Sequence, residues 1–376
     1  MTTLVAASAT AAGHPAAITP RLLLSPQVIG RRFRELSAAL GEVSLHYAVK
    51  ANPHPAALLA IAEQGGCFDV ASPAETDAAL ATGVGAARLV SSNPMQSRQA
   101  IRHHRDAGVD TFVVDSIDEA RKVAADAPGA ALMARLATSG AGSDWTLAGK
   151  FGADPDEVFA ILELAATLGL RPAGVAFHVG SQQREPARWV DPINTSAGIF
   201  TALRGHGHRP WLLDIGGGFP AEHAVPCPAL SVYGRVIEAA IVAAFGAGRP
   251  RLIAEPGRAL VGDAGVLETS VLGVTHRAGR RWVYLDAGIF NGLTETLGEA
   301  IHYRIRTSAH GAPEPAVLAG PTCDSADVLY RNVQLPADLA EGDRVWFGAA
   351  GVYTTACASG FNGFDPVPTQ LTDDLP

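Results

Sequence analysis

Several large protein classes are excluded by what this chain lacks. Its four cysteines, Cys67, Cys227, Cys323 and Cys357, form no C-x-x-C pair and match no metal-ligand spacing. They read as free thiols of a reducing compartment. No apolar stretch reads as long as the ~18–20 residues of a membrane span. The Ala-, Thr- and Ser-rich segment from Met1 to Pro20 lacks the basic n-region of a signal peptide. These absences imply a cytoplasmic protein with no membrane partner. Basic residues are in the minority, 29 against 37 acidic ones for a net charge of −8, which argues against non-specific nucleic-acid binding. There is no internal repeat, no G-x-G-x-x-G and no G-x-x-x-x-G-K-[ST], so neither a dinucleotide nor a nucleoside triphosphate is indicated.

What is present is a long alternation. A chain of 376 residues has room for one large barrel and a smaller module. From about residue 27 to 260, short apolar runs read as strands at Val43–Lys50, Cys67–Ala71, Arg88–Ser91, Thr111–Asp115, Ala131–Ala137, Gly174–Val179, Trp211–Ile215 and Leu252–Glu255. Amphipathic segments such as Pro55–Gln64, Ala74–Thr82, Ile117–Ala125, Asp156–Leu168 and Leu230–Phe245 lie between them. That is the count of a (β/α)8 barrel, with a doubly wound open sheet as the structural alternative. After Gly262 strand-like runs at Leu267–Val274, Arg281–Leu285, Ala316–Leu318 and Asp343–Phe347 follow without long helices, which predicts a mostly-β domain. The expected division is an N-terminal lead-in over 1–26 that partly joins the β domain, a barrel over 27–262, and the β domain over 263–376.

Polar residues recur where these strands end. Lys50 closes the first, in His46-Tyr-Ala-Val-Lys-Ala-Asn-Pro53; an unpaired ammonium at a buried strand end is costly, and Schiff-base chemistry is one reason to bear that cost. A lysine that merely reaches water is the plainer alternative. Asp69 nearly ends the second strand, Arg135 lies in the fifth, His178 near the end of the sixth, Asp214 and Gly216-Gly217-Gly218 end the seventh, and Glu255 ends the eighth. In a barrel all of these converge on one face. Three consecutive glycines suit backbone amides closing on an anion, though a tight turn alone also uses them. Glu255 and Arg258 suit a protonated ring nitrogen and a phosphate, or a local ion pair. In the second domain Cys323 and Asp324 share the loop Gly320-Pro-Thr-Cys-Asp324, where a free cysteine is either a small buried hydrophobe or functional.

Taken together, Tyr47-Ala-Val-Lys50, Phe68-Asp-Val-Ala-Ser72, Phe177-His-Val-Gly-Ser181, Asp214-Ile-Gly-Gly-Gly-Phe-Pro220, Glu255-Pro-Gly-Arg258, Gly320-Pro-Thr-Cys-Asp-Ser325, Tyr353 and Phe361-Asn-Gly-Phe364 resemble the fold-type III pyridoxal-phosphate decarboxylases, whose barrel is like that of alanine racemase. The Cys-Asp pair, the Phe-Asn-Gly-Phe ending and Glu295-Thr-Leu-Gly-Glu299 resemble the ornithine decarboxylases, in particular the short bacterial ornithine/lysine type.

The resemblance implies a cytoplasmic homodimer that uses pyridoxal 5'-phosphate to convert a basic L-amino acid, L-ornithine first, to its amine (putrescine) and CO2. It implies that Lys50 carries the cofactor, Glu255 pairs with the pyridine nitrogen, and His178 stacks on the ring. Ser181, Gly217, Gly218, Arg258 and Tyr353 would hold the phosphate, with Arg135 and Asp69 supporting the ring and the lysine. Cys323, the proton donor, and Asp324 would reach the other subunit's site, and Asp324, Glu299 and Phe361 would meet the substrate's cationic tail. Gln96 stands where the family often carries lysine, and Glu299 where many relatives have aspartate. Lysine, arginine or diaminopimelate decarboxylation remain alternatives, as do a non-catalytic regulatory homologue like the antizyme inhibitors and a cofactor carrier without catalysis.

Overall fold

The computed structural model describes residues 18–376; the first seventeen residues of the expected lead-in lie outside the described residues. The chain divides into two compact units. One comprises Gly30–Pro220 with Pro228–Leu260, and the other comprises the chain up to Ile29, Ala221–Cys227 and Val261–Pro376.

The first unit is a closed barrel of eight strands. In chain order they are Ser44–Ala48, Cys67–Val70, Leu89–Ser91, Thr111–Val114, Ala131–Leu136, Arg171–Phe177, Leu212–Asp214 and Arg251–Ala254. All neighbours are parallel, and the eighth strand returns to the first with Ile253 opposite Ser44. Closure excludes the open-sheet alternative.

Local chemistry starts the helices between the strands. Ser72, Ser97, Ser116 and Asp154 each accept the backbone N–H three residues ahead, and proline opens the helices Pro55–Glu63, Pro73–Leu80 and Pro155–Thr167. One expectation is corrected here. Leu230–Gly248 is long and apolar enough, by length and composition, to cross a membrane. Its helix, Leu230–Phe245, nevertheless lays Tyr233, Ile237 and Ile241 into the unit's interior.

The strand period of two decides which side chains meet inside. Val90, Val113, Met133, Ala176, Leu212 and Ile253 form one buried cluster although they come from strands on opposite sides, so they face the lumen. The ladder register places Asp69 beside Val90, Ala48 beside Asp69, and Asp214 beside Ile253, on the same face. Between the fifth and sixth strands the register slips by one residue, so that Met133 pairs with Gly174 and Arg135 with Ala176. Glycine is required at that slip: φ is +153° and a Cβ would lie 1.8 Å from Leu212 O.

The second unit is a sheet in the order Arg304–Thr307, Arg344–Gly348, Gly265–Arg277, Arg280–Leu285, Pro313–Ala319, Val328–Pro336. Arg21–Leu24 adds to it, antiparallel to Gly265–Arg277 and parallel to Thr369–Leu371. Leu267, Val283, Leu318, Leu329 and Phe347 pack with Tyr303 into its core.

Candidate active site

The functional side chains of the barrel unit sit just past the strand ends. The first strand stops at Ala48, and Val49–Ala51 turn as a short 3-10 helix that carries Lys50 out of the ladder. Lys50 Nζ reaches Asp69 Oδ2 at 2.6 Å. The lysine side chain is 49% exposed and the aspartate 1%. The other carboxylate oxygen of Asp69, Oδ1, is buried without a hydrogen-bond partner.

Past the sixth strand, His178 Nδ1 accepts the Gly180 N–H at 3.0 Å. Its carbonyl accepts from Thr138 Oγ1 at 2.5 Å. Burial, followed by the positive charges of Arg135 and Lys50, lowers its pKa to about 3, so the ring is neutral. Arg135 lies 5.7 Å from the Phe151 ring centre.

After the seventh strand the glycine run packs backbone against backbone. A Cβ on Gly217 would stand 2.6 Å from Glu255 O and 3.0 Å from His178 Nε2. Gly216 and Gly218 have φ of +68° and +102°. Any side chain here would fill the space between His178 and Glu255. Arg258, buried at 3% exposure, donates Nε and Nη2 to Ser181 Oγ, both at 3.3 Å.

Two carboxyls lie at the barrel's centre. Asp214 Oδ1 accepts the Gly216 N–H at 2.8 Å. Burial and the facing Glu255 push the Asp214 carboxyl well up; burial and Asp69 raise Glu255, against the pull of Lys50. Two like charges in one buried site oppose one another, so each makes ionisation of the other harder. Glu255 Oε1 is buried, and the polar side chains facing the carboxyl are Asp214 and Ser92. A cationic N–H donor would suit it.

The β unit holds the remaining candidates. Cys323 N–H and Sγ both meet Asn362 Oδ1, at 3.1 and 3.2 Å. Asp324 Oδ1 accepts the Ala326 N–H at 2.8 Å. Phe361 packs on Phe290 with ring centres 4.6 Å apart. Tyr353 has a φ of +58°, sparsely populated for a bulky residue. Glu299 lies near neither Arg304 nor Arg306 in its hydrogen bonding; its Oε1 accepts the Arg331 N–H at 2.8 Å. No hydrogen bond joins Glu299 to Asp324 among the described residues. In the barrel unit Gln96 is buried, donating to Ser91 Oγ and Asn93 O and accepting from Lys122 Nζ at its carbonyl.

Residues 27–262 match the family described as pyridoxal-dependent decarboxylase, pyridoxal binding domain. The chain belongs to the pyridoxal-dependent decarboxylases. It is 32% identical to the lysine/ornithine decarboxylase of Selenomonas ruminantium, across 95% of this chain and 91% of that one. It is also 32% identical to antizyme inhibitor 2 of Xenopus laevis, across 91% and 78%. The crystal structure of lysine/ornithine decarboxylase from Vibrio vulnificus complexed with putrescine superposes with a TM-score of 0.86, at 33% identity and 94% coverage of both chains.

The decarboxylase's barrel residues fit pyridoxal phosphate. The buried Glu255 carboxyl suits a protonated pyridine nitrogen. The bare backbone of Gly217 and Gly218 and the Arg258–Ser181 pair suit a phosphate, and Lys50 suits the aldehyde carbon. Sequence reasoning gave Asp214 and Asn362 no role of their own. Asp214 had a signal, since it shares lumen-facing parity with Glu255. Asn362 had none, because its partner is far away in the chain.

Proposed function

We propose that this protein decarboxylates L-ornithine to putrescine and CO2 as a cytoplasmic homodimer whose sites are shared between subunits. The observation that carries the catalytic reading is the buried Glu255 carboxyl facing Asp214, close enough to feel the charges of the Lys50–Asp69 pair. Equal identity to a decarboxylase and to an antizyme inhibitor does not choose between them. An intact lysine, its paired carboxylate and a ring-nitrogen acceptor favour turnover over a purely regulatory role.

Pyridoxal phosphate, when bound, supplies the electron-accepting ring that takes up the pair released as CO2 leaves. Each residue's part follows from its chemistry. Lys50 would hold the cofactor and release it to the substrate α-amine. Glu255 holds a proton at the pyridine nitrogen by Coulomb attraction. His178, neutral, would pack against the ring without adding charge beside it, and Arg135 would support the ring. Arg258, Ser181, the amides of Gly217 and Gly218, and Tyr353 bind the phosphate. Cys323 Sγ delivers the proton that replaces the carboxyl group at Cα. Asp324 Oδ1 and Glu299 Oε1 accept local backbone amides, and the two carboxylates would meet the substrate's distal ammonium beside Phe361.

The test is CO2 release, as kcat/KM, from ornithine, lysine, arginine, diaminopimelate and norvaline. Ornithine is expected to be the best substrate and norvaline the poorest of the four monocarboxylic amino acids. A preference for lysine replaces the substrate and keeps the class. No release from any of them returns the protein to the regulatory homologues.

A further inference from the structure

We propose that Asn362 is the positioning residue that keeps the proton on the Cys323 thiol and aims it. The inference rests on the reading of Cys323 as the proton donor and adds how that donor is held. Cys323 lies in the exposed loop between Pro313–Ala319 and Val328–Pro336. The loop's base is fixed by buried Asp327, which accepts from Ile289 N (2.8 Å), Thr322 N (3.0 Å) and Thr322 Oγ1 (2.7 Å). The thiol itself meets a different element. Asn362 adopts φ +57° and ψ +14°, a left-handed conformation that asparagine tolerates better than most residues. Its segment is pinned: Ser359 donates N–H and Oγ to Phe290 O, and Phe361 packs on the Phe290 ring.

This turn presents Oδ1 to Cys323 twice, at the backbone N–H and at the sulfur. A carboxamide oxygen is an acceptor only. It attracts S–H and repels a thiolate, so the contact favours the protonated thiol and points its hydrogen along one line. A proton donor needs both. The backbone N–H bond to the same oxygen fixes the oxygen's position, leaving the thiol to adapt to it.

The test uses the cofactor-loaded protein and reads iodoacetamide alkylation of Cys323 against pH, located by peptide mass mapping because Cys357 is also exposed. In Asn362→Ala, alkylation of Cys323 near neutral pH is expected to run about two- to tenfold faster, the range one lost hydrogen bond commands, with the pH midpoint moved down. Asn362→Asp keeps an acceptor oxygen and tolerates the left-handed turn. It is expected to alkylate no faster than the parent and to move the midpoint up. Turnover of Asn362→Ala should fall in kcat more than it changes KM. An unmoved alkylation profile in Asn362→Ala overturns the proposal. If Cys323→Ala leaves kcat intact while the alkylation shifts stand, the hydrogen bond is real and the proton-donor reading fails instead.

Discussion

Lys50 Nζ and Asp69 Oδ2 lie 2.6 Å apart, a half-exposed cation against a carboxylate sealed inside the barrel. Such a pair adds little stability, because solvent screens the lysine and exposed pairs are worth about 0–1 kcal/mol. Its value is placement: the charge on a rigid strand holds a flexible amine at the lumen's mouth. Lys50→Ala is therefore expected to fold normally and lose turnover on the order of a thousandfold or more. Borohydride treatment of the cofactor-loaded parent should fix cofactor mass on the peptide carrying Lys50. A variant that still traps the cofactor on a lysine refutes the assignment.

The glycine cradle gives a steric prediction. Gly217→Ala sets a methyl 2.6 Å from Glu255 O and 3.0 Å from His178 Nε2. Overpacking of this kind costs about 1–3 kcal/mol. Part of that cost falls on the space the cofactor needs, so affinity for pyridoxal phosphate should weaken about tenfold, read by fluorescence titration. Unchanged affinity with a lowered melting temperature would assign the glycine to packing alone.

Acid sensitivity follows from a second buried histidine. His46 lies buried in the first strand, and burial, then Arg251, lowers its pKa from an ordinary 6.5 to about 3. Between those values the unfolded chain binds a proton that the native chain refuses. Stability is lost as pH falls from about 6.5 towards 3, with a slope of up to ~1.4 kcal/mol per pH unit. In His46→Leu urea unfolding at about pH 6, 5 and 4 should show a correspondingly shallower loss than the parent. Parallel curves for the two proteins would show that the histidine is not the linked group.

Subunit sharing predicts complementation. Inactive Lys50→Ala mixed with impaired Cys323→Ala should recover about one quarter of parent activity after exchange, since each heterodimer of a twofold pair holds one intact site. Heterodimers demonstrated by mass and devoid of activity would place both residues in one subunit's site.

Much of the barrel was legible because its rules are short-range. Eight apolar runs, and a polar residue in or at the end of six of them, could be read directly, since a period of two ties burial to position. The ends shifted by a residue or a few, as at Lys50, which leaves the strand for a 3-10 turn that propensity does not announce. The register slip at Gly174 was invisible because it depends on how close Leu212 O approaches. The length of Leu230–Gly248 was misjudged by attending to unbroken apolar runs, where mean hydropathy over the helix was the relevant quantity. The bond from the Arg331 amide to the Glu299 carboxylate was likewise not legible, because it depends on the turn at Gly298 and Glu299. Asn362 meeting Cys323 required two loops folded against one sheet, which no local pattern encodes.

The closure of Arg251–Ala254 onto Ser44–Ala48 also fixes an order of events in synthesis. Lys50 emerges with the first strand, whereas Glu255 and Arg258 follow the last. On the proposed roles, a chain still on the ribosome exposes the amine of Lys50 long before it owns Glu255 for the ring nitrogen or Arg258 for the phosphate. Selective capture of the cofactor would then belong to the finished barrel and to no shorter prefix of the polypeptide.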